Sequence, residues 1–180
     1  VAGQSGLMAL HGWTTGEKGA RRSIGLHGYW PSASLGTTPK DQSRTPGRWK
    51  SLEAQNQERR EKLRELDEFF AEARAYAKAK DNSPGFQIVP AWEAMLPVLQ
   101  REIPVIVHAD DARQIRAAIS WANTNGLRLV LADGRDTWRV ADLLASNNVP
   151  VIFNHVFTLP QSETDDYAVH FRAPSVQSQE

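Results

Sequence analysis

A chain of 180 residues is long enough for one domain with a substantial core, and its 21 basic and 21 acidic side chains leave no net charge to attract nucleic acid or an anionic membrane. It contains no cysteine, which excludes disulfides, cysteine-ligated zinc, iron–sulfur clusters and thiol catalysis. Any metal therefore falls to the five histidines and the carboxylates, and the redox compartment is left open.

Apolar runs stop after a handful of residues, so no segment reads as a bilayer span, and no signal peptide is apparent. Residues 1–50 are glycine-rich and irregular, with two apolar islands, "GLMALHGW" and "SIGLHGYWP", each the length of a short buried strand. Ser5, between Gly3 and Gly6, reads as a turn residue and not as a Gly-x-Ser-x-Gly nucleophile. The stretch from Pro31 to Lys50 has the composition of a long loop. From Ser51 to Lys80 the pattern turns helical: Leu63, Leu66, Phe70, Ala73 and Ala77 recur at three- and four-residue steps. The basic residues Arg59, Arg60, Lys62 and Arg64 alternate with glutamates, which is a solvated helix face. Asn82 to Gly85 end that helix, and a shorter one is expected over Ala91–Gln100, interrupted at Pro97.

A loose repeat follows. "IPVIVHAD", "LRLVLADG" and "VPVIFNHV" start at Ile103, Leu127 and Val149, 24 and 22 residues apart. The first intervening helix opens on Asp111 and Gln114, spaced as a capping box, and the second on Asp136, an N-cap candidate. Asn125–Gly126 and Asn147–Asn148 suit left-handed C-terminal residues. Continuously apolar strands alternating with helices predict an α/β fold with a parallel sheet covered on both faces. Two architectures fit: part of a (β/α)₈ barrel, or an open flavodoxin-like doubly wound sheet serving as a non-enzymatic small-ligand module. The whole of 1–180 is expected to be one partial domain: irregular over 1–50, helical over 51–100, βαβαβ over 103–155, and loop or tail over 156–180.

Either architecture places function at the carboxyl ends of the strands. Those ends carry His108 and Asp110, then Asp133, then Asn154 and His155. Parallel strands must stop on something polar, so the bland reading of each is a strand-end residue; two histidines and two aspartates on one rim point instead to a site. The histidines lack the close pairing that organises a zinc site, whether His-x-His or His-Glu-x-x-His. No glycine-rich phosphate loop occurs. Trp121 and Trp138 read as packing residues, and Trp13 and Trp30 as pocket-lining candidates.

The segments "FFAEARAYAKAK", "MLPVLQREIPVIVHADDARQIRAAISWANTNGLRLVLADGRDTWRVADLLASNNVPVIF" and "LPQSETDDYAVHFRAPS" resemble the amidohydrolase superfamily, specifically imidazolonepropionase-like bacterial amidohydrolases. "GQSGLMALHGWT" and "GLHGYWP" are similar to the segments that precede the long helix in that group. The resemblance implies a TIM-type barrel that binds one or two divalent metals, zinc above all, and hydrolyses amide or other C–N bonds in a small substrate (an amide, cyclic amide or peptide-like molecule). It places "VIVHAD" on the fifth strand, where the family has a metal-ligating histidine, so His108 is the implied ligand. Asp110, Asp133, Asn154 and His155 are implied substrate-binding or supporting residues.

Where many members carry a sixth-strand histidine, this chain has Ala132, Asp133 and Gly134. It has no His-x-His and ends before an eighth-strand aspartate would appear. The expectation is therefore the central portion of a longer hydrolase, inactive in isolation, whose open strand edges are covered by the rest of the barrel or by self-association.

Overall fold

The computed structural model describes residues 3–6, 23–31, 52–83, 85–158 and 165–178. The chain divides into two compact units, one made of Val1–Trp30 with Glu93–Glu180, the other of Pro31–Trp92. The island "GLMALHGW" lies almost wholly outside the described residues, as do the loop after Pro31 and Trp13.

The first unit is built on a five-stranded sheet. Its strands are β1 (Gly3–Gly6), β2 (Ser23–Tyr29), β3 (Val105–Ala109), β4 (Leu129–Asp133) and β5 (Val151–Phe153). They lie side by side in chain order, β1–β2–β3–β4–β5. β1 runs antiparallel to β2; the other three pairings are parallel. A doubly wound sheet reverses its strand order at a switch point, and this sheet does not, so the order is that of a barrel segment. Ser5 is on β1, opposite Gly25, and not in a turn.

The apolar runs behave as buried strands should. Val105, Val107 and Ala109 of β3, and Leu129, Leu131 and Ala132 of β4, are buried. Gly25 packs closely against β3: a Cβ there would sit 2.3 Å from Ile106 Cδ1, so that side chain would have to shift. The third run differs. β5 spans three residues and Ile152 is 54% exposed, because among the described residues β5 pairs with β4 alone.

Helix α4 (Ala112–Thr124) connects β3 to β4 and buries Ile115, Ala118, Ile119 and Ala122. Its predicted capping box forms, with Asp111 accepting from the Arg113 amide and Gln114 reaching back to the Asp111 amide. The Arg113 guanidinium and amide also hold the Asp111 carboxyl below the usual carboxylate range. The helix ends on Gly126 at φ 64°, and the next one on Asn148 at φ 50°, both left-handed as the Asn/Gly signals predict.

Asp136 does something other than expected. It precedes a 3₁₀ turn (Thr137–Val140) that leads into α5 (Ala141–Ser146), but makes no side-chain cap there. Its carboxylate accepts instead from the Ala112 amide at 3.3 Å, so it caps the neighbouring helix α4. Thr137, fully buried, donates its hydroxyl to the Gly134 carbonyl at 2.7 Å.

The tail contains a helix that its sequence does not announce. α6 (Val169–Ser178) carries Pro174 in its interior, which removes one amide donor and argues against helix. Burial of His170 and Ala173 on one side offsets that loss. The expected helix over 91–100 is two single turns, α2 (Pro90–Glu93) and α3 (Leu96–Leu99), separated at Ala94–Met95. Pro97 lies in the first turn of α3, where its missing amide costs nothing, and does not interrupt it.

The second unit is dominated by α1 (Leu52–Asn82), 31 residues long. Phe70 and Ala73 of the predicted face are buried, with Tyr76 added to them, while Leu63, Leu66 and Ala77 are half-buried. Of the basic run, Arg60, Lys62 and Arg64 are exposed, Arg64 pairing with the exposed Glu68 at 3.6 Å, but Arg59 departs from a solvated face, its Nε buried. No helix among the described residues is long and apolar enough to cross a membrane.

Candidate functional site

A row of polar side chains crosses the sheet diagonally, from Ser5 on the antiparallel β1 and His27 in the middle of β2 to His108, Asp133 and Asn154 at the carboxyl ends of β3, β4 and β5. Ser5 Oγ lies 3.1 Å from His27 Nε2, and His27 Nδ1 lies 3.0 Å from His108 Nε2. His108 Nδ1 is 2.8 Å from Asp133 Oδ2, and Asn154 Nδ2 donates to Asp133 Oδ1 at 2.6 Å. The register explains this alignment. His108 is paired across the ladder with Tyr29 on one side and Ala132 on the other; His27, two residues before Tyr29, is its same-face diagonal neighbour, whereas Asp133, one residue past Ala132, departs from the pleat at the left-handed end of β4. Asn154 follows the last residue of β5 directly.

The backbone at Asp133 is part of the arrangement. Asp133 has φ 73° and Gly134 φ 65°, two successive left-handed residues at the end of β4. For a residue with a Cβ this conformation costs about 1–2 kcal/mol. The carboxylate is held between His108 and Asn154, which is the kind of over-determined setting in which such strain persists. Gly134 cannot be replaced freely either, since a Cβ there would meet Thr137 Cγ2 at 2.6 Å.

The imidazoles are partly shielded. The His108 side chain is 17% exposed, and the Tyr29 ring stacks on it with centroids 4.5 Å apart. The His27 ring meets the Nε2 edge of His108, with centroids 5.3 Å apart. Burial, and secondarily the neighbouring His108, lower the pKa of His27 and favour its neutral form.

A second cluster occupies the loops just beyond the strands. Asp110 Oδ1 is 2.8 Å from His155 Nε2, and Asp110 Oδ2 accepts from the Arg135 guanidinium at 3.2 Å. His155 Nδ1 reaches Thr158 Oγ1 at 3.1 Å. Each of three successive strand-to-helix loops thus gives one charged or titratable group to a shared contact. Farther out, His170 of α6 is 2% exposed, and neither ring nitrogen has a hydrogen-bond partner among the described residues. Its pKa is lowered by burial first, then by His155 and Arg135, against an opposing pull from Asp136 and Asp165.

The five residues singled out in the sequence fall into these two clusters: His108, Asp133 and Asn154 in the row, Asp110 and His155 in the loops. Sequence reasoning placed Ser5 in a turn and passed over His27, Tyr29 and Arg135. Arg135 follows Asp133 by two residues, as Asp110 follows His108, and that shared offset is a signal the sequence does hold. For His27 the sequence offers only its place within the island "GLHGY".

The donor chemistry suits a transition-metal ion in part. His108 donates one ring N–H to a carboxylate, the usual outer-shell support of a ligating histidine, and turns its other nitrogen toward a second imidazole. Among the described residues no group of three His, Cys, Asp or Glu converges as a complete metal site. The pair His27–His108 is therefore a two-donor fit.

No family model matches the chain, and no curated protein matches it by sequence. A solved structure does match by fold: the crystal structure of an amidohydrolase from Thermotoga maritima MSB8, at TM-score 0.68 and 19% identity. The match covers 98% of this chain and 44% of that one, so this chain spans less than half the length of its structural neighbour. At that identity the likeness shows the fold: a mixed α/β chain whose four parallel strands are similar to a segment of the amidohydrolase architecture.

Proposed function

We propose that this chain is the central part of a metal-dependent hydrolase of the amidohydrolase type, imidazolonepropionase-like, acting on an amide or other C–N bond of a small substrate. The observation that carries the reading is the His108–Asp133 contact at the carboxyl tips of β3 and β4. An acceptor-only carboxylate fixes the His108 tautomer with hydrogen on Nδ1, which leaves Nε2 as a lone-pair donor. The amidohydrolase neighbour, more than twice as long, supports the reading at the level of fold.

His108 would hold the ion, with zinc the natural choice for an imidazole donor. When bound, the ion supplies Lewis acidity and an activated water for attack on the carbonyl carbon. Asp133 orients His108, and Asn154 orients Asp133. Tyr29 shields the His108 ring from solvent on one face. Asp110, Arg135 and His155 tie the three loops together beside the row and are the residues to contact substrate. The exposed Ile152, Phe157 and Phe171 beside β5 and α6 support a covering neighbour there, from further strands or a second copy.

Zinc content tests the reading. The purified chain, loaded and dialysed, is expected to retain close to one equivalent, and His108→Ala to fall below about 0.1 equivalent. Zinc held equally by both proteins would overturn His108 as ligand.

A further inference from the structure

Helix α6 docks through an imidazole that bonds to nothing. His170, in its first turn, is 2% exposed, and neither Nδ1 nor Nε2 has a hydrogen-bond partner among the described residues. Buried polar groups are nearly always paired, so a ring with both nitrogens orphaned is a weak point in the docking. Pro174 removes an amide donor from the same helix, and buried Ala173 holds the docked face together with His170. That face packs against the 3₁₀ turn Thr137–Val140 and against α5.

Charging the ring turns this weak point into a trigger. An imidazolium carries a hydrogen on both nitrogens and needs an acceptor for each. The two carboxylates that favour its charging, Asp136 and Asp165, are already engaged. Asp136 accepts from the Ala112 amide at 3.3 Å and lies 3.8 Å from Arg139 Nε, and Asp165 is bound by the Arg139 guanidinium. Arg135 and His155 oppose the charge, and both are paired with Asp110. On α6 itself Arg172 pairs with Asp166, and on α5 Asp142 is exposed. A buried cation with no free acceptor is far cheaper in water than in place.

We propose that α6 is an acid-released brace: protonation of His170 undocks the helix from the 3₁₀ turn, freeing the loop Gly134–Val140 while β3 and β4 stay folded. That loop carries Arg135 and starts beside Asp133, so acid slackens the strand-end clusters from their flank. The inference rests on the packing of His170 and is independent of any ion at His108.

Burial, before the neighbouring charges, holds the docked ring below the ordinary histidine value. Docking is therefore fully present above that value and is lost as pH falls from it toward the lowered one. One proton taken up on opening raises the open fraction about tenfold between about pH 7.5 and about pH 5.5.

Amide hydrogen exchange of the whole chain at these two pH values, corrected for the intrinsic pH dependence of exchange, tests the brace. The amides of α6 are expected to lose about tenfold protection at the lower pH, while those of β3 and β4 keep theirs. In His170→Leu the protection of α6 should change by less than about twofold. Unchanged protection of α6 in the unmodified chain would overturn the proposal. So would an equal loss in His170→Leu, or a loss shared by β3 and β4, which is global unfolding and not release of a helix. Should His170→Leu fail to fold by circular dichroism, NMR titration of the His170 ring in the unmodified chain decides. The ring is expected to charge in step with the loss of α6 protection, and a ring that charges while α6 stays protected refutes the brace.

Discussion

The strand pair β3–β4 and the long helix α1 represent two ways of ordering a chain. In β3 and β4 most side chains are buried, on both faces of the sheet. Along the 31 residues of α1, burial is confined to Phe70, Ala73 and Tyr76, and much of the surface carries solvated charges. Groups that must be placed to a few tenths of an ångström stand at the ends of the first kind of element. The difference teaches that positional precision is inherited from bilateral burial, since a strand fixed on both faces has little freedom to turn its terminal side chain.

The largest effect is expected where that burial is deepest. Leu131 is fully buried in β4, two residues before Asp133, and Leu131→Ala should cost about 2–5 kcal/mol in chemical denaturation. A loss under about 1 kcal/mol would mean that the sheet is not packed as tightly on both faces as its burial implies.

An intermediate effect depends on pH. Burial lowers the pKa of His170 in the folded chain, so the unfolded chain binds the proton more readily. The stability this neutral ring contributes is present above the unfolded histidine value and is lost as pH falls from there toward the lowered folded value. Thermal melts should therefore decline from about pH 7 toward about pH 5, and His170→Leu should decline less over the same range. Equal slopes in the two proteins would show that His170 accepts its proton as readily folded as unfolded.

The smallest effect belongs to α1. Glu68→Ala removes the exposed pair with Arg64 and should change stability by no more than about 0.5 kcal/mol. A change several times larger would erase the contrast between the two regions.

Legibility followed the same division. β3, β4 and α4 could be read because each follows one strong rule: a continuous apolar run, or a capping box ahead of a 3.6-residue stripe. His108, Asp110 and Asp133 were visible as strand ends. His27 was not, because its importance comes from which strand lies beside β3, and pairing across the 81 positions to His108 leaves no local trace. α6 escaped notice because Pro174 argues against a helix and only tertiary burial of His170 and Ala173 argues for it. Asp136 obeyed the chemistry of a cap but served a different helix, a pairing across 24 positions that local spacing does not reveal.

Asp133 and Gly134 also set a limit on how this corner of the molecule can vary. A left-handed backbone admits Gly, Asn and Asp with least penalty, and the bond to His108 Nδ1 requires a side-chain acceptor, so position 133 has an alphabet of two letters. Position 134, left-handed and closed off by Thr137, has an alphabet of one. A drifting or engineered descendant can vary the exposed positions of α1 freely, yet it must carry these two adjacent letters forward or surrender the orientation of the histidine they serve.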